Sequence, residues 1–305
     1  MRILVLGASG QVGSELSTQL DYVLSSSDQD YSVVLASRSD VDVVDLQALR
    51  EFFVYTNPSW VINATAYTAV DKAEAELPQA YKVNEQAVGI MAQCCAEHNA
   101  NLIHLSTDYV FDGTGERPWD EHSEVSPLGV YGASKLAGEA AVRNTLFRHI
   151  ILRTAWVFGA SGANFVKTML RLSESHSELG VVGDQYGAPT SAKGIAQTIA
   201  TLVSHMSEAH SNDERWGTYH YTGSPFVSWA EFAREIFRQA ADKSMIPTSP
   251  LVNSITTEQY PTPAKRPRNS RLDCSKIKEV FGIEPDNWKA SLSEMLDEIK
   301  RDSLT

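Results

Sequence analysis

Three residues into the chain an apolar run, Ile3-Leu-Val-Leu6, breaks directly into Gly7-Ala-Ser-Gly10-Gln-Val-Gly13, and an amphipathic stretch starts at Gln11. A buried strand, a tight glycine turn and a helix in that order leave few architectures open, because the turn must carry the chain straight from a sheet edge into a crossover helix. Four more short apolar runs follow: Val33–Ala36, Trp60–Asn63, Leu102–Ser106 and Ile150–Arg153. Helix-like segments lie between the runs, near Gln11–Leu20, Leu46–Tyr55, Pro78–His98 and Gly129–Asn144. Continuous apolar runs mark strands covered on both faces, and their alternation with helices makes βαβ units. Right-handed crossovers then give an α/β fold with a doubly wound, parallel sheet of Rossmann type.

The second half reads differently. Helical patterns at Phe165–His176, Ser191–His205, Trp229–Ala241 and Ser291–Lys300 are separated by loops containing glycine and proline. Ser207–Arg215 is a polar surface loop, and Pro261–Pro267 is an extended connector because each proline fixes φ and biases its predecessor away from helix. The expected division is a nucleotide-binding unit over 1–160, with 188–206 returning to it. A smaller mixed α/β substrate-binding lobe is expected from 161–187 and 216–305. A chain of 305 residues is long enough for both.

Charge narrows the partners. With 26 basic against 38 acidic residues the net charge is −12, a field that repels nucleic acid and anionic membranes, so neither is expected. An anionic small substrate would need a local group of cations. Cys94, Cys95 and Cys274 show no zinc-type spacing and are odd in number, which reads as buried thiols in a reducing compartment. The N-terminal apolar run is too short for a signal peptide, and no run approaches the ~20 apolar residues of a membrane span. A cytoplasmic protein is expected.

Glycines spaced GxxGxxG between a strand and a helix let backbone approach a pyrophosphate at a helix N-terminus, which selects a dinucleotide. The second strand ends Leu35-Ala-Ser-Arg38-Ser39, with no acid until Asp40. An acid there would bind a ribose 2′-hydroxyl, whereas Arg38 accommodates a 2′-phosphate, so the expected cofactor is NADP(H). Asn63-Ala-Thr-Ala66-Tyr67 ends the third run and should lie beside the same cofactor.

Tyr131-Gly-Ala-Ser-Lys135 puts a phenol and an ammonium one helical turn apart on one face. A free phenol titrates near pH 10, and a nearby ammonium together with the positive nicotinamide of the oxidised cofactor is expected to bring it toward the working range, making Tyr131 an acid–base group for carbonyl reduction. Lys135 would also hold the nicotinamide ribose. Thr107, at the C-terminal end of the fourth run, is the hydroxyl expected to polarise the carbonyl.

Beyond these, the chain resembles the dTDP-4-dehydrorhamnose reductase family of extended short-chain dehydrogenases along nearly its whole length. The carriers are Gly7–Gly13, Val61-Ile-Asn-Ala64, Thr68-Ala-Val-Asp-Lys72-Ala-Glu74, Ser106-Thr-Asp-Tyr-Val-Phe111, Tyr131–Lys135 with Leu136-Ala-Gly-Glu139, and Arg153-Thr-Ala-Trp-Val157. They continue with Asn164-Phe-Val-Lys-Thr-Met169, Asp184-Gln-Tyr-Gly-Ala-Pro-Thr190, and Tyr260-Pro-Thr-Pro-Ala-Lys-Arg-Pro267 running on through Arg271-Leu272. The resemblance implies NADPH-dependent reduction of the C4 ketone of dTDP-4-dehydro-L-rhamnose to dTDP-L-rhamnose. It implies catalytic roles for Thr107, Tyr131 and Lys135, and pyrophosphate contacts at Gly10, Gln11 and Val12. Further cofactor contacts are implied at Asp45 with Leu46 and at Thr65, Ala66 and Tyr67, and sugar-nucleotide contacts at Asp108 and Trp156.

Lys265, Arg266, Arg268 and Arg271 read independently as a tight cation group in an acidic protein, with Arg266 and Arg271 as the diphosphate ligands. The resemblance also implies a carboxylate Mg²⁺ site at a dimer contact. Glu15 and Glu298 match two of its positions, but Lys193 stands at the third and disfavours the cation. No metal is therefore expected, and a homodimer is left open. Two alternatives are a sugar-nucleotide epimerase or dehydratase, and a non-catalytic NADP-binding regulatory subunit resembling the methionine adenosyltransferase β subunit.

Overall fold

The computed structural model describes residues 1–25 and 30–302. Six strands make one wholly parallel sheet: β1 (Arg2–Leu6), β2 (Ser32–Ala36), β3 (Trp60–Asn63), β4 (Asn101–Thr107), β5 (His149–Thr154) and β6 (Gly217–His220). Their order is β6-β5-β4-β3-β1-β2. The winding reverses between β1 and β3, and the crevice beyond the strand ends at such a point is where ligands bind in open α/β sheets.

The principal helices are α1 (Gln11–Leu24), α2 (Leu46–Thr56), α3 (Ala87–Glu97), α4 (Val130–Thr145), α5 (Phe165–Ser173), α6 (Ala192–His205), α7 (Trp229–Asp242), α8 (Ser275–Phe281) and α9 (Trp288–Asp302). The period-2 alternation of a strand divides the core. Ile3 and Val5 join Leu16 and Leu20 of α1 and Ile195 and Ile199 of α6 on one face. Leu4 and Leu6 join Phe53 of α2, Met91 of α3 and Val142 of α4 on the other. A separate apolar cluster unites Val166 and Met169 of α5, Phe232 and Ile236 of α7, and Leu292 and Leu296 of α9. These three helices pack around a parallel strand pair, Glu178–Val182 with Leu251–Ile255, and form the second lobe.

Two elements depart from the sequence reading. β6 pairs with β5 in the main sheet, Thr218 opposite Ile151, and α8 packs Phe281 on Tyr219. The stretch from 216 to 305 therefore does not lie wholly in the lobe. Gly217-Thr-Tyr-His220 is a four-residue edge strand with one large apolar side chain, so no apolar run announces it. The second departure is the helix expected over Pro78–His98. It is helical from Leu77, but passes through a π-helical segment at Lys82–Gln86 before α3 begins. All three cysteines are buried. Among the described residues no helix is long and apolar enough to cross a membrane.

Candidate active site

The turn from β1 into α1 meets the end of β3. Gly7 has φ +87°, and a Cβ there would lie 2.9 Å from the Ala64 carbonyl carbon, so only glycine lets the two strand ends come together. Gly10, which precedes α1, offers no side chain to cap its first turn, and those N–H groups are left for an anion. A cleft of about 450 Å³ opens here, lined by Gly7, Ser9, Gly10, Arg38, Thr65 and Tyr67 among others.

Arg38 stands at its rim, 81% exposed, 3.5 Å from Asp42. The Asp40 carboxylate is turned away onto the Ser37 backbone N–H and hydroxyl, which hold it below the usual carboxylate range. Thr65 donates its hydroxyl to Asn63 (2.6 Å), and the Tyr67 backbone is pinned through both N–H and carbonyl by the buried Asn84 of the π-helical segment. Gln11 reaches the other way, accepting from Asn164 of the second lobe at 3.0 Å. Ala66 also lines the cleft, and Val12 is buried beneath it. Asp45 and Leu46 do not line it. The Asp45 carboxylate accepts from the N–H groups of Gln47 and Ala48 and caps α2, and Leu46 is that helix's first residue.

Thr107 ends β4, and Tyr131 and Lys135 lie on the first turns of α4, which crosses it. The Lys135 ammonium is buried and donates to the Leu105 carbonyl of β4 at 2.6 Å. Burial brings its pKa down to about 8, against the pull of Glu139, which raises it. Burial pushes the Tyr131 phenol above its ordinary value, with the facing Thr107 hydroxyl pulling it back. The expected lowering drew on the lysine together with the positive nicotinamide of the oxidised cofactor; in the protein alone desolvation of the phenolate dominates, and the ammonium is held by Leu105. Thr107 donates to Asp108 Oδ1 (3.1 Å) and accepts from the Tyr109 N–H. Asp108 is buried, its Oδ2 has no hydrogen-bond partner, and burial raises its pKa to about 6 against the neighbouring Ser270 and Thr107 hydroxyls.

A second cleft, of about 440 Å³ and mostly apolar, lies in the other lobe between Phe165, Met169, Leu179, Gln185, Trp229 and Tyr260, with Arg266 at its margin. Trp156 lies beneath it. Its backbone is left-handed (φ +48°), a strained state for so large a side chain, and its indole stacks on Trp229 at 3.6 Å. Arg266 links this cleft to Tyr131 through Tyr109. It donates to the Tyr109 hydroxyl (3.2 Å) and to Asp71 (2.8 Å), and the Tyr109 ring meets the Tyr131 ring edge-on at 5.4 Å.

The other cations of that segment do not gather as the sequence suggested. Arg268 pairs with Glu258, and Arg271 turns to Asn269 and the Glu116 carbonyl, away from the cleft. Each arginine is drawn to its own partner, so a cation group in sequence became single cations in space. Gln185, Phe165, Trp229 and Tyr260 were not anticipated as lining residues. The Asn164–Met169, Asp184–Thr190 and Tyr260–Pro267 motifs marked three of them, Phe165, Gln185 and Tyr260, without giving them this role.

Glu15, Lys193, Glu294 and Glu298 share a third cleft between α1, α6 and α9. Lys193 Nζ lies 2.8 Å from Glu294, and the Glu15 carboxyl is raised first by burial and then by Glu298, with Lys193 opposing. An ammonium among these carboxylates does not fit a divalent cation. Among the described residues no group of three or more His, Cys, Asp or Glu side chains could hold one.

A six-stranded, doubly wound sheet with a glycine cleft, a threonine–tyrosine–lysine group at the end of β4 and an apolar cleft in a second lobe define a two-lobed Rossmann protein of the short-chain dehydrogenase class. The chain belongs to the family described as RmlD substrate binding domain, whose model matches residues 1–301. It is 41% identical to a dTDP-4-dehydrorhamnose reductase of Aggregatibacter actinomycetemcomitans, over 96% of this chain and 98% of that protein. Among solved structures, it is similar to a dTDP-4-dehydrorhamnose reductase from Clostridium acetobutylicum, with TM-score 0.88, 37% identity and coverage of 98% of this chain and 100% of the other. It is also similar to the Bacillus anthracis dTDP-4-dehydrorhamnose reductase in complex with NADP, with TM-score 0.85, 31% identity and coverage of 97% and 99%.

Proposed function

We propose that this chain is an NADPH-dependent reductase of the C4 ketone of dTDP-4-dehydro-L-rhamnose, giving dTDP-L-rhamnose. The observation that carries the reading is the position of Thr107, Tyr131 and Lys135 where β4 ends against α4, with Tyr131 in contact through Tyr109 with Arg266 of the apolar cleft and α4 tied through Ser134 and Asn84 to Tyr67 of the glycine cleft. Gly7 and the uncapped first turn of α1 suit a pyrophosphate, Arg38 a 2′-phosphate, and Thr65 to Tyr67 the flank of the cofactor. When bound, NADPH supplies the hydride that reaches the ketone carbon.

The protein supplies the proton and the geometry. Burial keeps the Tyr131 phenol protonated through the neutral range, the state a proton donor needs in the reducing direction. Thr107 hydrogen-bonds the ketone oxygen from the facing side, which requires its hydroxyl to leave Asp108. The orphaned Asp108 Oδ2 is free to accept a sugar hydroxyl. Trp229, Phe165 and Tyr260 offer flat apolar faces to a nucleotide base, and Arg266 meets the diphosphate.

The test is to follow NADPH consumption with dTDP-4-dehydro-L-rhamnose in wild type and Tyr131→Phe. Wild type should turn over, and the variant should lose on the order of 10²–10⁴ in kcat with its NADPH affinity kept. A wild type without turnover, or a variant as fast as wild type, would sink the assignment.

A further inference from the structure

Glu139 lies one helical turn beyond Lys135 and is fully buried, yet against that desolvation Arg153, Ser106 and Arg143 hold its carboxyl below the usual range. Its Oε1 accepts from the Ser106 hydroxyl of β4 (2.5 Å) and from Arg153 Nε of β5 (2.9 Å). Its Oε2 accepts from Arg153 (2.7 Å) and from Arg143 of its own helix (3.0 Å). Arg153 is itself buried, lies over the Phe111 ring at 5.1 Å and reaches His220 of β6 at 3.4 Å. Four elements, α4, β4, β5 and β6, are thus tied at one carboxylate. Hydrophobic side chains of the same size would fill that space at no cost in desolvation, so a buried ion pair kept there calls for a reason other than stability.

Its position supplies one. Ser106 stands between Leu105, whose carbonyl receives the Lys135 ammonium, and Thr107, which faces Tyr131. A bond from Ser106 to Glu139 fixes the distance and register between the strand that carries Thr107 and the helix that carries Tyr131 and Lys135. We propose that Glu139 is a positioning residue: through Ser106 and Arg153 it locks α4 onto the ends of β4 and β5, and it sets a carboxylate one helical turn from the Lys135 ammonium. The proposal rests on the reductase reading for its effect on turnover, but not for its effect on Lys135. The titratable and charged groups facing Lys135 are Glu139 on its own helix and His104 on β4, with Tyr131 one turn before it and the Arg153 and Arg143 guanidinium groups behind Glu139. His104 is held neutral by burial, so Glu139 is the anion that acts on Lys135.

Two substitutions separate geometry from charge. Glu139→Gln keeps the shape and removes the charge; Ser106→Ala removes the tie to β4 and keeps the charge. With folding checked by circular dichroism, Lys135 is titrated by NMR in protein carrying isotope-labelled lysine, its signal identified by its loss in Lys135→Arg. In Glu139→Gln the titration should move to lower pH by about one unit, and the alkaline limb of kcat should move with it. In Ser106→Ala the titration should stay in place while kcat falls on the order of ten- to a hundred-fold, because the two halves of the centre are no longer in register. A folded Glu139→Gln with an unmoved Lys135 titration, or a Ser106→Ala with wild-type kcat, overturns the proposal. Should Glu139→Gln fail to fold, Ser106→Ala and Glu139→Asp, expected to keep the Lys135 titration and lose kcat, decide it. If wild type does not reduce the keto sugar, the reductase reading fails alone and the Lys135 titration still tests this one.

Discussion

Lys135 and Asp108 lie within a few side chains of each other, and burial moves both toward neutrality from opposite ends of the pH scale. A lysine with its pKa lowered to about 8 is charged below that pH and neutral above it. If its charge holds the centre together, kcat/KM should fall above about pH 8, well before the raised phenol of Tyr131 could titrate. A pH–rate profile checks this: an alkaline limb near 10 would assign it to another group. Asp108 has the opposite sign. Its pKa is raised from 3.8 to about 6, so the folded state pays a penalty for its charge that is fully present above pH 6 and absent below about 3.8. Asp108→Asn retains an acceptor for Thr107 and removes the charge. The variant should therefore be more stable than wild type at pH 7 to 8, by on the order of 2–3 kcal/mol, with the gain fading toward pH 4. Thermal melts across that range would show it, and an equal gain at pH 4 would rule out charge burial as the cause.

At the scale of elements, legibility followed burial. β1, β3, β4 and β5 could be read because both of their faces are covered, which favours apolar runs, and the edge strand β2 because it too carries one, Val33-Val-Leu-Ala36. β6 could not, because an edge strand with Gly217 and Thr218 has no such demand on it. The π-helical segment at Lys82–Gln86 was hidden for another reason: its residues fit a helical period, and only the buried, multiply bonded Asn84 betrays the change of winding. That segment meets α4 at Gly138, where a Cβ would lie 2.0 Å from the Asn84 carbonyl oxygen. Gly138→Ala must push the two elements apart and should cost about 1–3 kcal/mol, visible as a lower thermal midpoint. Gly89, also helical and on α3, has room: its added Cβ would meet Ala141 at an ordinary 3.6 Å. There alanine should be neutral or stabilising by up to about 1 kcal/mol from helix propensity alone. Equal losses at both positions would mean that propensity, not contact with Asn84, is the source.

For the whole molecule, the grouping of Thr107, Tyr131 and Lys135 was legible and the lining of the apolar cleft only partly so. Thr107, Tyr131 and Lys135 sit on two regular elements whose periodicity gives their relative placement, whereas Trp229, Gln185 and Tyr260 meet only once three distant segments fold together. The misreading of Arg271 has the same origin, since closeness in sequence says little about direction in an extended loop. On the proposed function, what remains of the cation group, Arg266, draws a diphosphate toward a protein of net charge −12 while already paired to Asp71. Asp71 also accepts the Ala264 N–H, so it anchors the proline-rich strap as well as neutralising its arginine. Asp71→Asn retains an acceptor for Ala264 and Arg266 but removes a negative charge beside the incoming diphosphate. With both groups about a third exposed, solvent screening limits the gain, and KM for the sugar nucleotide should fall about three- to ten-fold with kcat little changed. Arg266→Met should move KM the other way by a larger factor, and raising salt should narrow the difference between the two variants. Steady-state kinetics at two ionic strengths decide the matter. A rise in KM for Asp71→Asn would mean that Asp71 acts chiefly by aiming the guanidinium, and that the charge it places in the diphosphate's path costs less than the aim it gives.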